Sequence, residues 1–224
     1  MKAADLKKYL HDTIKLRLKP LGFKKYDNWF YTDRNGFSSA IIVSSLNYDN
    51  SYPTSFSATF GFVGVDRLLY KSTDRDIEFK KCKIGGQIFI SQVELYEEGK
   101  YPCKDYDIYS LDQADVAINQ ILNYFTHTII PNMNEFRNIK TLEEQINVKD
   151  PLINNRFLSI KLKYGLILAK LVNYPEYEIL KNKYREILKE WPDWDKQELE
   201  KVIAFLDAHS QAALNLIAES SHSA

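Results

Sequence analysis

Asp66, Glu78 and Lys80 have the residue types of a metal-dependent hydrolase. Glu78 and Lys80 belong to a predicted strand over residues 76–82, where the two side chains share one face. Asp66 and Glu78 could hold Mg²⁺, and Lys80 could position the attacking water. Acid-x-Lys sequences also arise by chance in a chain with 27% charged residues. A solvated strand face with a Glu/Lys pair is therefore the simpler interpretation.

An Asp on one strand and Glu-x-Lys on the next resembles the arrangement of the PD-(D/E)xK nucleases. The resemblance implies a metal-dependent nuclease or another hydrolase that uses Asp66, Glu78 and Lys80. The composition argues against nucleic acid as a partner. Lys+Arg and Asp+Glu both number 30, whereas a nuclease needs a basic groove for the phosphate backbone. We keep the hydrolase as the alternative to a binding protein.

A second cluster mixes tyrosine with acid in residues 101–115, YPCKDYDIYSLDQAD. Asp-x-Asp can chelate a divalent ion that is bound to a diphosphate. The same composition is typical of a protein-binding patch, because tyrosine supplies rigid area and a hydrogen bond. A loop that leads into a capped helix is the simplest interpretation. As a functional site we predict partner binding rather than metal binding, by Tyr101, Asp105, Tyr106, Asp107 and Tyr109.

The remaining chemistry-bearing residues predict no further site. The four histidines have no second ligand at metal spacing, and His209 is expected to be a hydrogen-bonded residue on the apolar face of a helix. Cys82 and Cys103 fit free thiols in a reducing compartment. The sequence contains no Gly-rich phosphate loop and no nucleophile elbow. We therefore expect no metal and no cofactor.

The first half of the chain predicts a helix followed by an antiparallel sheet. Leu6, Leu10, Ile14 and Leu18 recur at four-residue steps and predict a helix over residues 3–18. Asn35-Gly36 between two strand patterns predicts a hairpin. About five strands are expected in all, over residues 28–32, 37–47, 55–63, 76–82 and 87–96. The first helix is expected to pack on this meander, with its lysines in water.

From residue 110 onward the hydrophobic period changes from 2 to 3.6, which predicts helices. Two segments fit the pattern of a capping box, Ser110–Gln113 and Thr141–Glu144. Pro131 is expected to end the helix that begins at Ser110. Three amphipathic helices are predicted in the last third. The fold class is therefore α+β, with an α+β domain over residues 1–150 and a helical annex over residues 151–224.

The end of the first helix, LKPLGF at residues 18–23, resembles a bacterial domain-of-unknown-function family, numbered 4304. The stretch IPNMNEFRNIKTLEEQI, residues 130–146, is similar to the end of that family, so the resemblance covers roughly residues 3–148. Members often carry a Trp-Trp pair where this chain has residues 106–109, YDIY. The resemblance rests on Leu18, Pro20, Leu21, Gly22, Phe23, Phe30, Phe56 and Gly61. It implies no particular chemistry and points to accessory or immunity-type proteins of bacterial toxin systems.

We therefore predict a non-enzymatic bacterial protein that binds another protein. The N-terminus lacks the apolar core of a signal peptide, and no run reaches the ~18–20 apolar residues of a membrane span. A cytoplasmic location and no membrane contact are expected. A third alternative is a structural module that forms homo-oligomers through its C-terminal helices.

Overall fold

Helix α1 (Ala3–Leu18) opens the computed structural model, which describes residues 3–34, 36–45, 52–75, 88–89, 106–149 and 158–219. The four predicted apolar residues of this helix are each no more than 1% exposed. Arg17, which helical geometry placed near the apolar face, is exposed and donates to Asn119 Oδ1 over 3.1 Å. The helix therefore buries its predicted stripe and keeps its cations in water.

The corner after α1 is a short 3-10 turn, Lys19–Leu21, followed by Gly22. Gly22 has φ 83°, a left-handed conformation that glycine adopts without a steric penalty, and its N–H donates to Lys19 O over 2.9 Å. Phe23 then packs edge-on against Phe125, with ring centroids 5.6 Å apart. Residues 18–23 thus form the corner between α1 and the strand that begins at Lys24.

Strands β1 (Lys24–Tyr26), β2 (Trp29–Arg34) and β3 (Phe37–Ser45) form an antiparallel meander. The register pairs Arg34 with Phe37, as the hairpin predicted at Asn35-Gly36 requires. Gly36 has φ 74°, as a loop of this kind requires.

Strand β4 (Tyr52–Phe62) follows, and β5 (Ile88–Phe89) and β6 (Tyr106–Ile108) complete the sheet. The strand order is β1-β2-β3-β4-β5, and β6 pairs with the beginning of β4. The fold is thus α+β, with an N-terminal helix, an antiparallel sheet and a helical C-terminal part, as predicted. The predicted strand over residues 76–82 lies outside the described residues.

The chain turns helical directly after β4, as α2 (Val63–Ser72). Val65, Leu68 and Leu69 are buried along one face of this helix, because their spacing follows the helical period. Asp66 therefore lies within a helix and not on a strand, and this part of the predicted hydrolase arrangement is wrong.

Helix α3 (Leu111–Tyr124) continues through a wider π turn, Phe125–Ile129, into α4 (Ile130–Glu135). Pro131 does not end the helical segment, because it lies in the first turn of α4, where a missing N–H is tolerated. Helix α5 (Ile139–Glu144) is followed by a second π turn, Gln145–Lys149. Its N-cap is Asn138, which accepts from the N–H groups of Lys140 and Thr141, so the predicted capping box at Thr141 is wrong.

The last third contains α6 (Leu158–Leu171), α7 (Tyr177–Ile187), α8 (Asp193–Ala208) and α9 (Gln211–Glu219). The predicted third helix is two helices, because His209 adopts an extended backbone (φ −118°, ψ 138°) that ends α8. His209 donates a hydrogen bond through Nδ1–H to Phe205 O over 2.8 Å. Helix α6 is buried nearly all round and contacts α2, α5, α7, α8 and α9.

Contacts divide the chain into two compact units. The first unit comprises Met1–Phe60 and Phe89–Asn134, and the second comprises Gly61–Ile88 and Glu135–Ala224. The core of the first unit is formed by α1, α3 and the sheet, and the core of the second by the helices around α6. The predicted domain boundary at residue 150 lies outside the described residues and stays a prediction.

Candidate functional site

A cleft of about 300 Å³ opens in the first unit between β6 and the first turns of α3. Strand β6 lines it with Tyr106, Asp107 and Ile108, and α3 lines it chiefly with Asp112 and Val116. We call it the β6–α3 cleft. It lies within the acidic, tyrosine-rich segment that the sequence singles out for partner binding.

Pairing with β4 positions the strand wall of the cleft. The antiparallel register sets Tyr52 opposite Ile108 and Thr54 opposite Tyr106. Ile108 is 1% exposed and anchors the strand in the core. Tyr106, two residues earlier on the same face of the strand, packs its ring edge-on against Phe56, with centroids 6.1 Å apart. The aromatic wall is therefore held by the core beneath it.

The helix wall is fixed by the N-cap of α3. Ser110 Oγ accepts from the N–H of Gln113 over 3.3 Å, as the predicted capping box requires. The Gln113 side chain does not reach back to Ser110; its Oε1 accepts from the N–H of Tyr109 over 2.7 Å. Across the cleft, Tyr106 donates through its hydroxyl to Gln120 Oε1 over 3.2 Å. These bonds join strand, cap and helix into one hydrogen-bonded frame.

Large apolar side chains lie in and beside the cleft. Tyr109 is 56% exposed, Leu111 44% and Val116 56%. Single exposed apolar residues are ordinary, but a group on consecutive turns beside a concavity is typical of a contact surface. The helix N-terminus alone would explain a polar surface here and does not explain the exposed tyrosine, leucine and valine.

The cleft is negatively charged. Asp107 and Asp112 line it, both are exposed, and neither forms an ion pair with a described residue. No lysine or arginine is among the described residues that line the cleft. Asp115, one turn further along α3, has a different role: its Oδ1 accepts from the hydroxyl of Tyr9 over 2.6 Å.

Of the five predicted binding residues, the structure brings Tyr106 and Asp107 to the cleft and leaves Tyr109 exposed beside it. Tyr101 and Asp105 lie outside the described residues. Sequence reasoning missed Val116, because it falls between two residues of the buried stripe of α3. One feature of the sequence could have identified Val116: it lies four residues after Asp112, and residues at this spacing share one face of a helix.

The predicted hydrolase residues do not form a site within the described part of the chain. Asp66 is 1% exposed and lies near Tyr164, where burial and the Asp66 charge raise the pKa of the Tyr164 hydroxyl well above its usual value. Glu78 and Lys80 lie outside the described residues. Over the described ranges, no three His, Cys, Asp or Glu side chains are grouped so that they could hold a metal ion.

Comparisons with protein-family models, curated proteins and solved structures give no match to this chain. The resemblance to the family numbered 4304 therefore stays a prediction. Among the described helices, none combines the length and the apolar character needed to cross a membrane.

Proposed function

We propose that this chain is a non-enzymatic protein-binding module of the bacterial cytoplasm and that it contacts its partner through the β6–α3 cleft and its rim. The observation that carries the proposal is the exposure of Tyr109 and Val116 beside a concave surface whose strand wall packs on the core. Interfaces are enriched in tyrosine, and binding to a preformed surface avoids the entropic cost of ordering it. The resemblance to the family numbered 4304 supports an accessory or immunity role beside a toxin.

The test removes the exposed apolar area while leaving the frame intact. The Tyr109→Ser/Val116→Ser variant is compared with wild type in affinity capture from the native host. Both side chains are exposed, so the variant is expected to fold normally. Leu16→Ser is the matched control, because Leu16 is 71% exposed on α1 and its replacement also removes an exposed apolar side chain.

We expect one partner at near-stoichiometric amount with wild type and with Leu16→Ser, and at least a tenfold reduction with the cleft variant. A partner that the cleft variant retains in full would exclude this surface. The absence of any partner in all three samples would contradict the binding function itself and would direct attention to Mg²⁺-dependent hydrolysis, with Lys80→Ala as its control.

A second candidate function is self-association through the C-terminal helices. Ile179 on α7, Trp194 on α8 and Leu216 on α9 are 64%, 59% and 70% exposed. Apolar side chains of this size on three successive helices favour an interface between copies. Sedimentation velocity over a hundredfold range of protein concentration tests it: a mass that stays that of one chain of 26.2 kDa at every concentration excludes self-association.

A further inference from the structure

We propose that the β6–α3 cleft accepts an arginine side chain of the partner protein. The inference rests on the proposed function, because it names the chemistry by which that partner is recognised. The charge of the cleft supplies the first argument. Asp107 and Asp112 line it, no described cation neutralises them, and the described residues of the lining include no lysine or arginine. Two carboxylates at one concave surface attract a cation, and the attraction strengthens as the partner excludes water.

The walls of the cleft favour arginine over lysine. Val116 is apolar and 56% exposed, so it can cover part of the methylene chain of a long side chain. Tyr106 offers an aromatic ring, on which a planar guanidinium stacks better than an ammonium ion does. A guanidinium also has five N–H donors in a fixed plane, so it can serve two carboxylates at once. An ammonium ion is more strongly hydrated and loses more on entering a partly apolar cleft.

The size of the cleft agrees with a single side chain. Its volume of about 300 Å³ is at the lower limit of small-molecule sites. Exposed Tyr109 lies next to it in sequence and can pack on the residues of the partner that flank the arginine. The predicted surface thus combines one charged anchor with an exposed tyrosine, and arginine and tyrosine are both enriched among the residues that dominate binding.

A divalent ion is the competing occupant, because Asp-x-Asp is a known ligand pattern. The described residues supply two carboxylates to the cleft, and no group of three His, Cys, Asp or Glu side chains is found among them. Mg²⁺ demands near-ideal octahedral oxygen geometry and is reluctant to lose its water shell. A guanidinium makes no such demand, so the observations favour arginine.

The test uses three short capped peptides, Ac-Gly-Ser-X-Gly-Ser-amide, in which X is arginine, lysine or citrulline. Citrulline has nearly the shape of arginine and no charge. Each peptide is titrated into the full ¹⁵N-labelled chain, and amide shifts are followed at low salt. We expect saturable shifts confined to residues 106–117 with the arginine peptide, at least threefold weaker binding with lysine and no saturable shifts with citrulline. Raising NaCl to 0.5 M is expected to weaken the arginine peptide at least fivefold.

Asp107→Asn/Asp112→Asn is expected to weaken the arginine peptide at least tenfold. Asp112 lies in the first turn of α3, so its replacement also removes a favourable interaction with the helix dipole. Asp5→Asn is the matched control, because Asp5 is an exposed aspartate in the first turn of α1. This control is expected to bind the arginine peptide like wild type.

Equal binding of the arginine and citrulline peptides would overturn the inference, and so would shifts spread over the whole chain. Mg²⁺ at 5 mM that shifts the same amides and blocks the arginine peptide would assign the cleft to a metal ion instead. The test of arginine recognition can fail while the test of protein binding succeeds, so the two results can be distinguished. A partner that is lost with Tyr109→Ser/Val116→Ser and retained in full with Asp107→Asn/Asp112→Asn would leave the protein-binding function standing and exclude arginine recognition.

Discussion

The hydroxyl of Tyr9 donates a hydrogen bond to Asp115 Oδ1 over 2.6 Å and so joins α1 to α3 across 106 positions of the chain. Both side chains are half-buried. The hydrogen bond raises the pKa of Tyr9, and burial and the charge of Asp115 act in the same direction. Since α3 forms one wall of the β6–α3 cleft, this contact links the position of that wall to the N-terminal helix.

Tyr9→Phe tests this link. The variant leaves a half-buried carboxylate without its donor, and we expect a loss of about 1–2 kcal/mol in the free energy of unfolding by urea. Tyr31→Phe is the control, because Tyr31 is also half-buried and its hydroxyl makes no described hydrogen bond. Equal losses in the two variants would show that the ring environment, and not the hydrogen bond, determines the effect.

Gly165 on α6 allows a close approach to the turn after α5. Asn147 donates through Nδ2 to Gly165 O over 3.0 Å and to Glu143 Oε1 over 2.8 Å, and its Oδ1 accepts from the hydroxyl of Tyr184. A Cβ at position 165 would overlap Asn147 Oδ1 and would lie 3.1 Å from Ile146 Cγ2. The turn therefore packs against α6 only because residue 165 has no side chain.

Gly165→Ala is expected to destabilise the protein although alanine is the better helix former. Propensity favours alanine by about 1 kcal/mol, whereas overpacking and a disturbed polar network cost more, so we expect a net loss of about 2 kcal/mol in urea unfolding. The same change in an Asn147→Ala background should cost less, since the overlapping atom is gone. A cost that is the same in both backgrounds would contradict the close contact as the cause.

A buried ion pair lies beside α6 in the second unit. Lys163 Nζ pairs with Glu198 Oε2, and Arg75 Nη2 lies 3.3 Å from Glu198 Oε1. The Lys163 side chain is 1% exposed and that of Glu198 is 9% exposed. The ring of Trp194 has its centroid 5.2 Å from Lys163 Nζ. The positive charges of Lys163 and Arg75 therefore compensate the negative charge of Glu198 at a position to which water has little access.

Lys163→Met removes one partner of this pair. It leaves a nearly buried carboxylate with only the partly exposed Arg75, and we expect a loss of about 3 kcal/mol in thermal or urea unfolding. Lys163→Met/Glu198→Met should recover most of the loss, because both nearly buried charges are removed and the Arg75 side chain, which loses Glu198 as its partner, is 33% exposed and can be solvated by water. Lys189→Met is the surface control: Lys189 pairs with Glu186 where the side chains are 64% and 73% exposed, and a change within about 0.5 kcal/mol is expected. A double variant less stable than Lys163→Met would contradict this account.

The elements that local patterns dictate could be predicted from the sequence. The apolar period of residues 3–18, the Pro20–Gly22 corner and the Asn35-Gly36 hairpin each act within a few residues, and the structure confirms all three. The cap at Ser110 is confirmed for the same reason. The composition of residues 101–115 indicated where the cleft lies but not its strand wall, because the sequence predicts a loop there and β6 forms by pairing with the distant β4.

The features that depend on distant contacts could not be predicted. The strand arrangement expected for Asp66 is wrong because the segment with a helical period after β4 is short and hard to recognise in the sequence. The helix there is stabilised by burial of Val65 and Leu68. The role of Tyr9 was not visible, since its partner is 106 residues away. Val116 was missed because its exposure depends on which face of α3 the sheet covers.

The last prediction concerns Glu143, whose burial gives the protein a specific pH dependence. Glu143 is 5% exposed, and burial raises its pKa above the usual 4.5, against a smaller opposite effect of the hydrogen bond from Asn147. A raised pKa means that the folded state holds the proton more tightly. The stability that this carboxyl contributes is therefore complete below pH 4.5 and is lost as the pH rises through its folded-state pKa.

Glu143→Gln retains the shape and the acceptor for Asn147 but cannot ionise. The free energy of unfolding of the variant, relative to wild type, should therefore rise as the pH increases from 4.5 through the folded-state pKa of Glu143, and it should level off above that pKa. Glu135→Gln, a replacement of an exposed carboxylate on α4, provides the same change of charge without burial. Urea unfolding of the three proteins at half-unit pH steps measures the difference. A gap between Glu143→Gln and wild type that stays constant over this range would show that the folded state binds the Glu143 proton no more tightly than the unfolded state does, and would contradict the raised pKa.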